Sequence, residues 1–131
     1  KKCLKKGVLA NFTNNQRSAL EEVPILKKTI ELYKTYYAYL ELFSKKDKYA
    51  LGATCERHLI QIVELLLDTS YLPKDAKRAC LLKANNKFET LKVFIRMMQE
   101  LKIIDQKKYI TLQSAIQEIG KMFGGWIRSL S

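Results

Sequence analysis

The chain has little with which to turn or cross-link: two prolines, five glycines and three cysteines in 131 residues. So few turn residues, and no sustained alternation of apolar and polar positions, exclude a β-rich fold and point to helices throughout. Cys3, Cys55 and Cys80 have no metal-ligand spacing, and an odd count argues against a disulfide framework. Cys55 and Cys80 read as small buried hydrophobes in a reducing cytoplasm. No apolar run approaches the ~20 residues of a membrane span, so no membrane association is expected. The basic start, Lys1 to Lys6, precedes only a short apolar patch at Val8 to Ala10, which does not make a signal peptide.

What is present is an apolar content of 47% in a length that suits one domain with a proper core. Residues 1–23 read as an N-terminal arm, polar and with little periodicity between Asn11 and Ser18. Within it, Ser18 and Glu21 have capping-box spacing and Asn11-Phe12-Thr13 matches a glycosylation acceptor, although nothing else points to secretion. Residues 24–131 read as a four-helix bundle domain.

The clearest pattern lies at the C-terminal end. Leu112, Ile116, Ile119, Phe123, Trp126 and Leu130 recur at steps of four and three, which makes one helix, about Tyr109 to Leu130, with one buried seam. Gly120, Gly124 and Gly125 fall inside it. Because Trp126 and Leu130 stay in phase beyond them, the expectation is an unbroken helix whose missing side chains let another backbone approach.

A first helix is expected from about Pro24 to Phe43, with Leu26, Ile30, Tyr33, Tyr37 and Leu40 inward. Beside that seam runs a second stripe, Ile25, Leu32, Tyr36, Tyr39 and Phe43, offset by roughly 100° at 3.6 residues per turn. A monomeric bundle needs one stripe, so the second is expected to face another subunit. Ser44 and Asp47 mark the start of a second helix, to about Thr69, burying Cys55, Leu59, Ile62, Val63 and Leu66. The third, about Pro73 to Lys102, buries Cys80, Ala84, Phe88, Leu91, Ile95 and Met98, and leaves Val93, Phe94, Met97 and Leu101 outside. Asp105 caps the fourth. Links of a few residues between long helices make the expected fold all-α, an up-down-up-down antiparallel four-helix bundle. The surplus apolar stripes imply a homo-oligomer, with Ile25, Leu32, Tyr36, Tyr39, Phe43, Phe94, Met97, Gly120 and Gly124 at its interface.

Charge is strongly one-sided: 24 Lys and Arg against 13 Asp and Glu, net +11, which favours polyanionic partners. It concentrates in residues 74–108, with ten basic against four acidic side chains. Arg78, Lys92 and Arg96 share one flank of the third helix, and Lys83 and Lys87 the other. With Arg57 and Lys74 these are the expected contacts to RNA or to an acidic protein face, since cations at helical spacing can track a phosphate backbone. Aromatic rings can also stack on unpaired bases, and Tyr49 and Tyr71, near helix ends, are the freest to do so.

Catalytic patterns are missing. No phosphate-binding glycine loop follows a strand. The one histidine, His58, has Glu56 two residues before it, the wrong spacing for a Glu-x-x-His metal pair. Helical-bundle ribonucleases of the HEPN type carry an arginine and a histidine four to six residues apart, whereas Arg57 adjoins His58. No catalytic residue, metal ligand or cofactor is therefore expected.

Three stretches are similar to one known family: Pro24-Ile25-Leu26, Lys45-Lys46-Asp47-Lys48-Tyr49-Ala50-Leu51-Gly52, and above all Glu118-Ile119-Gly120-Lys121-Met122-Phe123-Gly124-Gly125-Trp126-Ile127. These resemble the accessory variability determinant (Avd) proteins of diversity-generating retroelements, related to four-helix-bundle proteins of ribosomal RNA intervening sequences. The resemblance covers about residues 24–130, with the Gly-x-x-x-Gly-Gly-Trp ending its most specific part. It implies a basic four-helix bundle, assembled as a barrel-shaped homopentamer, that binds the element's reverse transcriptase and template RNA and supports mutagenic copying without being the polymerase. A structural or interaction bundle of the intervening-sequence type is the alternative expectation.

Overall fold

A computed structural model of the chain describes residues 23–130. The N-terminal arm up to residue 22, with Cys3, the Asn11 acceptor and the Ser18–Glu21 pair, lies outside the described residues. Every regular element among the described residues is helical. Helix α1 is Pro24–Leu40 and starts with proline in its first turn, where the missing N–H costs nothing. Helix α2 is composite: a short α-helical turn Lys45–Asp47, a π-helical turn Lys48–Gly52, then Ala53–Tyr71. Helix α3 is Lys74–Glu100 and α4 is Gln106–Ser129. No described helix is long and apolar enough to cross a membrane.

The ends are set by local chemistry. The Ser44 hydroxyl accepts from Asp47 N at 3.2 Å, and the Asp105 carboxylate accepts from Lys108 N at 2.8 Å, each covering a donor that an α-helix start leaves bare. At the end of α3, Ile103 N donates to Met98 O at 2.8 Å and Lys102 N to Gln99 O at 3.1 Å. That is a Schellman closure, and its left-handed position, usually glycine, is Lys102 at φ 62°. A lysine there costs about 1–2 kcal/mol relative to a right-handed conformation.

Each helix packs on its chain neighbours, and α1 also packs on α4, so the four form a ring around one core. Within it Phe88 of α3 and Phe123 of α4 meet with ring centroids 5.1 Å apart. Lys28 of α1 pairs with Glu118 of α4 at 3.4 Å; both are half exposed, so this pair adds little. Helix α4 runs unbroken through its three glycines, and Leu112, Ile116, Ile119 and Phe123 are buried as their spacing predicts.

Two seams differ from expectation. On α1 the buried positions are Ile25, Leu26, Thr29, Leu32, Tyr36 and Leu40, with Phe43 just beyond, while Tyr37 is 52% exposed. The stripe expected to face another subunit is thus largely the protomer's own core. Thr29 concealed the phase: it is buried mid-seam, satisfied by donating its hydroxyl to Ile25 O at 2.8 Å. On α3 the core position is Leu81, and Cys80 is half-buried, its thiol directed at Leu65 O of α2.

A candidate anion-binding face on the third helix

At 100° per residue, Arg78 and Arg96 lie at the same azimuth on α3, five turns apart, with Lys74 and Lys92 together about 40° away. All four are exposed, in a file about 33 Å long at 1.5 Å per residue. The file lies on the α4 side, since Lys92 sits 5.8 Å from the Phe88 ring that packs on Phe123. Lys83 and Lys87 lie across the helix on the α2 side, where Phe94 meets His58 of α2 edge to face at 5.1 Å. Lys87 is half-buried and Lys83 exposed. The seven expected cations thus divide: Lys74, Arg78, Lys92 and Arg96 come together, Lys83 and Lys87 form a second group, and Arg57 is exposed on α2.

Their electrostatic state differs too. Lys92 is held by Glu89 at 3.1 Å, one turn before it. No described acidic side chain lies within ion-pair distance of Lys74, Arg78, Arg96, Lys83, Lys87 or Arg57. Cations left unpaired by their own protein keep their full charge for a partner.

Burial holds one thiol and three phenols in their protonated forms. Burial pushes the Cys55 thiol up to about 12, only partly offset by the Tyr36 hydroxyl beside it. Burial, then the hydrogen bond to the Glu56 carboxylate at 2.8 Å, raises Tyr33 to about 12, and burial also raises Tyr36 and Tyr71. His58 packs on Phe94, with Nδ1 3.2 Å from Thr54 O. Among the described residues no group of His, Cys, Asp and Glu is placed to hold a metal.

Of the residues expected at a subunit interface, Ile25, Leu32, Tyr36 and Phe43 are buried within the protomer, which removes the reason for placing them there. Tyr39 and Phe94 are half-buried, and Met97 is 38% exposed. Among the described residues no backbone comes close over the α4 glycines: a Cβ at Gly120 would meet Phe88 Cε2 at 3.7 Å, one at Gly124 would meet the Arg128 guanidinium at 3.3 Å, and one at Gly125 nothing within 4 Å. Sequence reasoning overlooked Lys102 and Lys108, which flank a hollow at one end of the bundle. The sign that could have found them is a helix stop without glycine, at Leu101-Lys102-Ile103.

A family model described as bAvd-like matches residues 23–130. Comparison with curated proteins and with solved structures gave no match.

Proposed function

Because the chain belongs to the bAvd-like family, we propose that it is a non-enzymatic accessory subunit of a diversity-generating retroelement. In this reading it binds the element's reverse transcriptase and template RNA through its basic surface and supports mutagenic cDNA synthesis in the cytoplasm. The observation that carries the reading is the file Lys74, Arg78, Arg96, exposed and without acidic partners among the described residues along one flank of α3. A rigid row of unpaired cations is suited to phosphates, whose contacts give affinity that falls with salt and carry no sequence information.

The described helices make one domain, folded as an up-down-up-down antiparallel bundle. Cross-helix contacts in opposite chain order support that topology: Lys28 with Glu118 and Tyr39 with Lys108 between α1 and α4, and Leu65 with Cys80 and His58 with Phe94 between α2 and α3. The working form is a homo-oligomer, a pentamer by family likeness. Apolar side chains left outside the protomer's core support self-association, among them Val93 and Met97 one turn apart on α3 and Leu101 just past its end.

The test is the double charge reversal Arg78→Glu with Arg96→Glu, assayed for RNA and for reverse transcriptase by co-purification and titration. At least one partner should bind tenfold or more weakly. If RNA is the partner, the log–log salt slope should shrink by about 2, one unit for each lost phosphate contact. Unchanged affinity for both partners at low salt would reject this site.

A further inference from the structure

A hollow of about 540 Å³ opens at the end of the bundle where the α1–α2 and α3–α4 links meet. Tyr39 and Leu42 line it from the first link's side, Lys102 and Ile103 from the second, with Gln106 and Lys108 of α4 beside them. It therefore joins an aromatic ring, apolar side chains, the Gln99 and Gln106 amides, which bond to each other at 3.2 Å, and two lysines, of which Lys108 is paired with Asp105 at 3.2 Å. Leu42 is 70% exposed, and the Lys108 ammonium lies 5.7 Å from the centre of the Tyr39 ring. Asp105 also lines the hollow, but its carboxylate is engaged by the backbone and side-chain nitrogens of Lys108.

Lys102 supplies an independent sign. It occupies the left-handed position that ends α3, where glycine would be at ease, and this strained residue is among those that line the hollow. Backbone strain kept at a cavity rim is a reason to look for function there. In sequence, Lys45, Lys46 and Lys48 follow just after the first link and Lys107 just after the second.

We propose that this hollow takes one unpaired base of single-stranded RNA, stacked against Tyr39, with its flanking phosphate on Lys102. The inference rests on the RNA-binding reading above and adds a site and a strand preference to it. An aromatic ring offers stacking to any base, the amide atoms that Gln99 and Gln106 do not use on each other offer hydrogen bonds to base edges, and Lys102 offers a cation to the backbone. Duplex RNA keeps its bases stacked and out of reach, so the site selects unpaired strand.

The experiment uses the full chain and a short single-stranded oligoribonucleotide carrying 2-aminopurine, whose fluorescence falls when it stacks. Binding should quench the probe in the single strand and not in the matching duplex. Lys102→Gly should bind several-fold more weakly, with the salt slope smaller by about 1, while melting at the same or a higher temperature because the left-handed strain is gone. Tyr39→Leu should remove the quenching and weaken binding on the order of tenfold. Arg78→Glu with Arg96→Glu should weaken binding yet leave the quenching at saturation unchanged. Strand binding without quenching, or Lys102→Gly binding like the parent, would overturn the site while leaving the wider reading intact. A free mononucleotide that competes as well as the strand would overturn the strand preference. Absence of any RNA binding at low salt would remove both proposals.

Discussion

The Tyr36 hydroxyl donates to the Gly52 carbonyl across 2.8 Å, tying α1 to the π-helical turn of α2. A π-turn widens the hydrogen-bond ladder, and such turns persist where neighbouring structure holds them. Here the holder is a side chain from another helix, fully buried, with its ring edge-on to Phe43 at 6.2 Å. Tyr36→Phe keeps the packing and deletes only the donor. It should cost about 1–3 kcal/mol in urea unfolding, the penalty of an unsatisfied buried group, whereas Tyr37→Phe at an exposed position should change stability by less than about 0.5 kcal/mol. Equal effects at the two positions would mean the bond does not hold the turn.

Gly52 and Gly125 make a matched pair with opposite expected signs. A Cβ on Gly52 would sit 2.7 Å from Leu40 Cδ1 and 2.9 Å from the Asp47 carbonyl oxygen, and the latter, being backbone, cannot swing away. Gly52→Ala should therefore destabilise the fold by about 1–3 kcal/mol despite alanine's better helix propensity. Gly125 lies exposed in α4 with open space around its Cβ position, so Gly125→Ala should stabilise by up to about 1 kcal/mol. Thermal melts of the two variants decide the matter.

The same two substitutions mark where sequence stops being informative. The α4 seam was legible because Leu112, Ile116, Ile119 and Phe123 are all apolar and no rival stripe competes. On α1 two stripes one residue apart fit the same spacing, and the deciding contacts, Tyr36 with Gly52 and Thr29 with its own backbone, are invisible without the neighbouring helix. The basic residues of α3 were legible as charge at helical spacing, but which cations remain unpaired depends on where acids fall in space. A hollow made by two links that meet only after folding, beside a lysine in glycine's usual place, leaves no periodic trace.

Alkaline pH should unfold the protein through its buried acids. The unfolded chain releases the Cys55 proton near 9.0 and the Tyr33 proton near 10.0, whereas the folded chain holds both to about 12. Between those values the unfolded state binds fewer protons than the folded one, so stability falls as pH rises. Stability owed to these groups is thus complete below about pH 9 and disappears towards pH 12. Urea midpoints measured from pH 7 upward should be flat and then decline. Cys55→Ala or Tyr33→Phe should each soften the decline; a midpoint indifferent to pH up to 12 would contradict it. The native Cys55 thiol should likewise resist alkylation at pH 8 until the chain is unfolded.

Self-association now has a sharper test, because most of the first helix's second stripe is core. Replacing Leu32 or Tyr36 would damage the fold itself, so loss of assembly there would say nothing about an interface. Val93 and Met97 differ: they are 56% and 38% exposed and lie one turn apart on α3. A carboxylate at either position stays in water in a single protomer but would be desolvated without a partner in a packed subunit contact. Val93→Glu with Met97→Glu should leave helicity and the melting transition of the isolated protomer unaltered while lowering the mass in solution, at micromolar protein, to that of one 15.2 kDa chain. A parent that itself runs at the mass of one chain would overturn the proposed self-association; an assembled parent whose mass the double variant keeps would put the contact on another face, the α4 surface around Gly120 and Gly124 being the next to be charged.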